Sequence, residues 1–171
     1  AGRLAPGTIV RPRIAPAVFG VGLLERIPEA DLVAEAARQA AAGKGPAGSV
    51  SRPADAGAAG RFGWQAAEPS VRSQTTGALA LDMGLTSAEV PADDCAPAQA
   101  PCLSAPSGGA PEAAADLVDA LVAFQQALAV PAPLPGADPR GSELFAAAGC
   151  DGCHRPAQRA VLDDGRAVEI R

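Results

Sequence analysis

The sequence predicts an all-α chain with long Pro/Gly-rich loops, and three observations carry that expectation. Apolar residues recur at helical spacing in several segments, most clearly between Glu112 and Ala129. No period-2 run of β-branched residues is long enough to read as a strand. Finally, 19 glycines and 17 prolines among 171 residues make the chain rich in turns between the helical segments.

From the N-terminus, Pro6, Pro12 and Pro16 precede an apolar stretch from Val18 to Leu24. Pro28 suits the first turn of a helix, where its missing N–H costs little. A helix over Ala30 to Ala42 follows, with Leu32, Val33, Ala36 and Ala40 at helical spacing and Gly43 as its stop. Residues 43–60 read as a loop. A second helix is expected from Pro69 to about Asp82, with Gly84 as its C-terminal signal. A loop from Pro91 to Pro111 holds Cys95 and Cys102. In the helix over Glu112 to Ala129, Leu117, Leu121, Phe124 and Leu128 make one apolar stripe, and Pro131 stops it. The segment PAPLPGADP (131–139) reads as a linker. A short helix, Ser142 to Ala148, leads into CDGCH.

Composition bounds the core and the partners. Hydrophobic residues make up 48% of the chain, but much of that is alanine, with four Phe, one Trp and no Tyr. Aromatic side chains supply much of the buried area in ordinary cores, so this core is thin unless a cofactor or the rest of a larger chain completes it. The net charge of −5, with scattered Lys and Arg, gives no basis for nucleic-acid binding. No apolar run approaches the roughly 18–20 residues that span a bilayer. The start AGRLAPG has neither the basic region nor the apolar core of a signal peptide. With Ala1 first and Met83 as the sole methionine, the chain reads as a processed form or a fragment, and fragment is favoured.

Chemistry concentrates at Cys150, Cys153 and His154. In C-x-x-C-H the two thiols lie at the spacing that lets them add to the two vinyl groups of one haem, and the adjoining imidazole ligates the iron. A thioredoxin-like dithiol calls for a βαβ context that the pattern lacks. Zinc calls for four ligands, whereas the chain has one histidine and two distant cysteines. His154 being the only histidine excludes bis-histidine ligation within the chain, and leaves Met83 as the sole methionine candidate, against a plain packing role at a helix end. Haem c attachment implies export to the periplasm. In that oxidising compartment Cys95 and Cys102 read as a disulfide stapling their loop.

Three blocks, RIAPAVFGVGLLERIPEADL (13–32), GRFGWQAAEPSVRSQTTGALALDMGLTS (60–87) and RGSELFAAAGCDGCHRP (140–156), resemble the bacterial di-haem oxidoreductase family. That family is related to the di-haem cytochrome c peroxidases and to the di-haem enzyme of methylamine utilisation. Arg140, Gly141, Leu144 and Phe145 also resemble the first helix of class I cytochromes c. The resemblance implies two cytochrome c-like helical domains, each with its own CxxCH, of which this chain contains the second. Residues 1–139 are then the end of the first domain plus an inter-haem helical region. Residues 140–171 start a second, incomplete domain, whose distal haem wall lies beyond the C-terminus. One covalent haem c is expected in this chain and a second in the full-length protein. The implied electron donor is a small redox protein or a quinone-linked cytochrome.

The peroxidase relatives carry a tryptophan between the haems, then a glutamine ten residues on, then an acid before Met-Gly. Trp64, Gln74 and Asp82 look similar, though the acid is Asp rather than Glu and lies slightly closer to the glutamine. The implied roles are electron relay for Trp64, peroxide orientation for Gln74 and proton transfer for Asp82. Taken without the family, Trp64 reads as a core residue, and Gln74 and Asp82 as a solvated helix face. Many relatives carry an acidic loop suited to calcium before GRFGW; residues 43–59 hold only Asp55, so no metal is expected there. The family's usual lysine after the tryptophan is Gln65. Two functions of different class remain: a di-haem, peroxidase-like enzyme, or a single-haem electron carrier without a substrate site. A truncated copy lacking a complete site is the third possibility.

Overall fold

The computed structural model describes residues 7–43, 45, 47–54, 57–132, 138 and 140–170. Six helices are present in them: α1 (Val21–Glu25), α2 (Glu29–Ala42), α3 (Val71–Met83), α4 (Ala100–Leu103), α5 (Ala115–Ala127) and α6 (Arg140–Ala147). Two strands follow, β1 (Gln158–Val161) and β2 (Ala167–Ile170). The expected linker 131–139 falls largely outside the described residues.

Local chemistry explains the helix ends. Pro28 precedes α2 with an extended ψ, Glu29 and Asp31 occupy the first turn where carboxylates favour the helix dipole, and Gly43 closes it at φ 59°. Ser70 caps α3, accepting from the Ser73 amide at 3.0 Å, and Ser73 answers by accepting from the Ser70 amide. At the other end Gly84, at φ 68°, donates to the Ala80 carbonyl and Leu85 to that of Leu79. α5 begins three residues later than the sequence pattern suggests, because Glu112 is committed elsewhere. Its carboxylate accepts from the Gly108 and Thr86 amides, at 2.7 and 3.1 Å. Cys95 and Cys102 form the expected disulfide, with Cα atoms 5.8 Å apart, in the loop that contains α4.

The core lies where α1, α3 and α5 meet: Phe62, Val71, Leu79, Ala113, Val118 and Val122 are buried, with Val21, Leu85 and Leu121 packed against them. The face that α5 buries differs from the expected stripe. Val118 and Val122 point inward, while Leu117 and Phe124 are 49% and 62% exposed. The helix is rotated by about one residue, because Gln125 joins the buried side and donates to the Thr75 hydroxyl on α3 at 2.7 Å.

The expectation of an all-α chain built from cytochrome c-like helical domains is corrected. Among the described residues helix accounts for 41%, and the segment after CDGCH forms an antiparallel hairpin in which Gln158 pairs with Ile170 and Val161 with Ala167. The reason lies in Asp164-Gly165. An Asp-Gly pair between short apolar stretches is a hairpin signal, Gly165 takes φ 80° there, and Leu162 donates to the Arg166 carbonyl at 2.9 Å. The hairpin is docked on the end of α1: the Val161 amide donates to the Arg26 carbonyl at 2.9 Å, and Arg26 pairs with Asp163. No helix among the described residues is long and apolar enough to cross a membrane.

α1 has five residues and is held by close approach to α5. The Gly20 amide donates to the Leu128 carbonyl at 2.8 Å. A Cβ at Gly22 would lie 2.2 Å from the Gln126 carbonyl oxygen and 2.8 Å from its Cα, so only glycine fits. Gly22→Ala therefore forces α1 off α5 and is expected to lower stability by about 1–3 kcal/mol. Thermal unfolding of the two chains checks this, and an unchanged midpoint contradicts the packing.

Candidate functional site

Two residues past the end of α6 at Ala147, Gly149 at φ 76° turns the chain sharply. A single 3₁₀ turn, Cys150–Gly152, follows directly. The Cys150 carbonyl accepts from the amides of both Cys153 and His154, at 3.3 and 2.9 Å, so the pentapeptide closes on itself. Both thiols are exposed and unpaired, unlike Cys95 and Cys102. The imidazole of His154 meets the ring of Phe145 edge-on, centroids 6.1 Å apart at 67°. Leu144 and Phe145 on α6 are themselves exposed, at 57% and 40%. Cys150, Cys153 and His154 thus lie on one exposed turn that follows the exposed Leu144 and Phe145 of α6, with the Phe145 ring edge-on to the imidazole. Such an arrangement can form two thioether bonds, donate one nitrogen to a metal and lie against a flat apolar group.

Trp64 sits on a separate loop. Phe62 and Glu68 pair across its base, each donating its amide to the other's carbonyl, at 2.9 and 3.0 Å. Within it Gly63, Gln65 and Ala66 all have positive φ, of 71°, 58° and 53°. Two consecutive non-glycine residues in the left-handed region are costly and persist only where the surroundings impose them. Here the imposing contact is at Gly60, whose Cα closely approaches the Ala66 carbonyl; a Cβ there would lie 1.8 Å from that oxygen. The loop holds Trp64 outward, 59% exposed, so the sole tryptophan is not a core residue. Arg13 covers one face of its ring, with Cζ 3.7 Å from the centroid.

Gln74, on the first half of α3, lies against this loop: its Oε1 is 2.6 Å from where a Cβ on Gly63 would stand. The structure therefore brings Gln74 to the Trp64 turn. It does not bring Asp82 there. Asp82 and Met83 are exposed at the far end of α3, and eight residues of helix put Asp82 about 12 Å further along the axis. A carboxylate that the sequence pattern did not single out, Glu68, lies closer, with Cγ 3.4 Å from the same Gly63 position and Oε1 3.6 Å from that of Gly77. Its signal was its place between Trp64 and Gln74 in one short block.

The segment leaving the CDGCH turn carries another unforeseen contact. Arg155, next to His154, reaches Glu35 on α2 at 3.6 Å. Glu35 also accepts from Arg38 Nε at 2.8 Å and from Gln39 at 3.0 Å. The Arg38 guanidinium above all, with help from Gln39 and Arg155, holds the Glu35 carboxyl down at about 2 against an ordinary 4.5.

Compared with known proteins, the chain matches the family described as "Di-haem oxidoreductase, putative peroxidase" over residues 7–166. No curated protein and no solved structure matches it.

Because Glu35 binds its proton more weakly folded than unfolded, its contribution is fully present above about pH 4.5 and is lost as pH falls towards about 2. The melting temperature should drop across that window, and less steeply in Glu35→Gln; parallel pH curves contradict the contact. The chain has one Trp and no Tyr, so its emission reports on Trp64 alone. In the haem-free chain Arg13→Ala should raise the quenching of that emission by acrylamide. Equal quenching means that Arg13 does not cover the ring.

Proposed function

The chain belongs to the di-haem oxidoreductase family, and from that membership we propose that it is the part of a peroxidase-like enzyme that carries one covalent c-type haem on Cys150, Cys153 and His154. The observation that supports this reading is the closed CDGCH turn: two free, exposed thiols and an imidazole on one turn, beside the exposed apolar side chains Leu144 and Phe145. The donor set fits haem. Cys150 and Cys153 would form the thioethers, and His154 would supply a nitrogen to the iron. Haem contributes one-electron transfer when bound.

The chain's own residues would do the rest. Gly149 starts the turn that sets the thiol spacing. Phe145, edge-on to the His154 ring, would help to orient the imidazole. Trp64, held outward by its loop, would be the relay towards a second haem carried elsewhere in the full-length protein. Gln74 at the base of that loop would orient a peroxide, whose two-electron reduction to water also consumes two protons. Asp82 would serve as a proton carrier only for a group approaching the far end of α3. Residues 1–139 would be the end of a first haem domain with the inter-haem region, and residues 140–171 the start of a second. We further propose a periplasmic location, and a small redox protein or quinone-linked cytochrome as electron donor.

Maturation of the chain and its full-length parent with a periplasmic c-type haem system tests this directly. Intact mass should show one haem on the chain and two on the parent, with a reduced c-type absorption spectrum. One haem on the parent would make the protein a simple carrier and remove the role given to Gln74. No haem on either would end the reading. In His154→Ala the covalent mass should persist while the low-spin spectrum is lost; an unchanged spectrum contradicts His154 as ligand.

A further inference from the structure

Asp31 and Glu35 stand one turn apart on α2 and so share a face. Opposite them, Arg155 and Arg159 are also four residues apart, on the segment that leaves the CDGCH turn and enters β1. Arg159 binds Asp31 in a fork, Nε to Oδ2 at 3.0 Å and Nη2 to Oδ1 at 3.1 Å. Arg155 Nε faces Glu35 Oε1 at 3.6 Å, and its Nη1 lies 3.5 Å from the carbonyl of Asp151, inside the turn itself. Glu35 is already fixed by Arg38 and Gln39, so it offers Arg155 a stationary anchor. These side chains line an open cleft of about 580 Å³ between α2 and the hairpin. They meet across solvent, so the link between α2 and the turn at this point is electrostatic.

We infer that these four residues form an ion-pair ladder in which Glu35 and Arg155 are positioning residues for the haem turn, clamping it to α2 and fixing the net charge beside His154. The inference rests on the haem-attachment reading above. Arg155 is one peptide bond from the proposed iron ligand. Glu35 is shared between Arg38 and Arg155, so losing Glu35 makes the charge beside the turn one unit more positive, and losing Arg155 makes it one unit more negative. A cation nearby favours the reduced, less positive iron, and an anion favours the oxidised one. The two single variants should therefore move the reduction potential in opposite directions. Mere loosening of the fold would move both the same way, because each would expose the haem to water.

The test is the midpoint potential of the full chain matured with haem, with intact mass confirming attachment in each variant. Glu35→Gln should raise the potential and Arg155→Gln should lower it. The double variant should lie between them, and Arg155→Lys, which keeps the charge, should stay near the starting value. Shifts of the same sign in the two single variants, or no shift in either, overturn the inference while leaving attachment intact. A starting chain with no covalent haem overturns the attachment reading, and the ladder's role with it.

Discussion

Glu25 is where three helices meet. It closes α1, its Oε1 accepts from the Val71 amide at the start of α3 at 2.8 Å, and its Oε2 accepts from Gln126 on α5 at 2.6 Å. The next residue, Arg26, faces the other way, receiving the hairpin through its carbonyl and pairing with Asp163 through its guanidinium. Arg61 finishes the junction by donating to the Ile27 carbonyl at 2.6 Å. A five-residue helix cannot persist alone, since helix nucleation is unfavourable and short helices depend on tertiary contacts. Two adjacent residues at its end therefore join the helical core to the hairpin, and the close approach at Gly22 keeps them in place.

That dependence follows from composition. With one aromatic residue, Phe62, in the buried cluster, apolar area alone cannot fix how the elements sit. Carboxylates bridge them instead: Glu29 accepts from the Ala59 amide at 3.0 Å and pairs with Arg52 at 2.6 Å, tying the loop before Trp64 to the start of α2. Glu112 ties the Thr86 amide to the segment before α5. Each bridge orders a loop that glycine and proline would otherwise leave undirected. The same device recurs at Glu35, where it reaches the turn next to His154.

Much of the helical plan was legible because its signals are local. Pro28 and Gly43 around α2, and Ser70 and Gly84 around α3, mark ends that depend on a few neighbouring residues. The buried face of α5 was not legible, since the choice between Phe124 and Gln125 depends on Thr75, fifty residues away. The hairpin was overlooked although Asp164-Gly165 announced it, because four-residue strands are too short for a convincing alternation. At the site, the CDGCH pattern stands out in sequence since its chemistry needs fixed spacing. The nearness of Gln74 to the Trp64 loop, the exposure of Trp64, and the Glu35–Arg155 contact arise from tertiary approach and leave no periodic trace.

α6 raises the sharpest question of stability. It has eight residues, buries none of them, and exposes Leu144 and Phe145. A helix of that length is marginal by itself, and the turn that follows is closed by only a few backbone bonds. On the attachment reading, Leu144 and Phe145 would lie against the group held at Cys150 and Cys153, and His154, edge-on to Phe145, would be held by ligating its iron. Formation of the helix and attachment of the cofactor would then reinforce each other. The ion-pair ladder on α2 would act on the downstream side of the same turn, so the site would be constrained from both ends, by apolar contact before it and by charge after it.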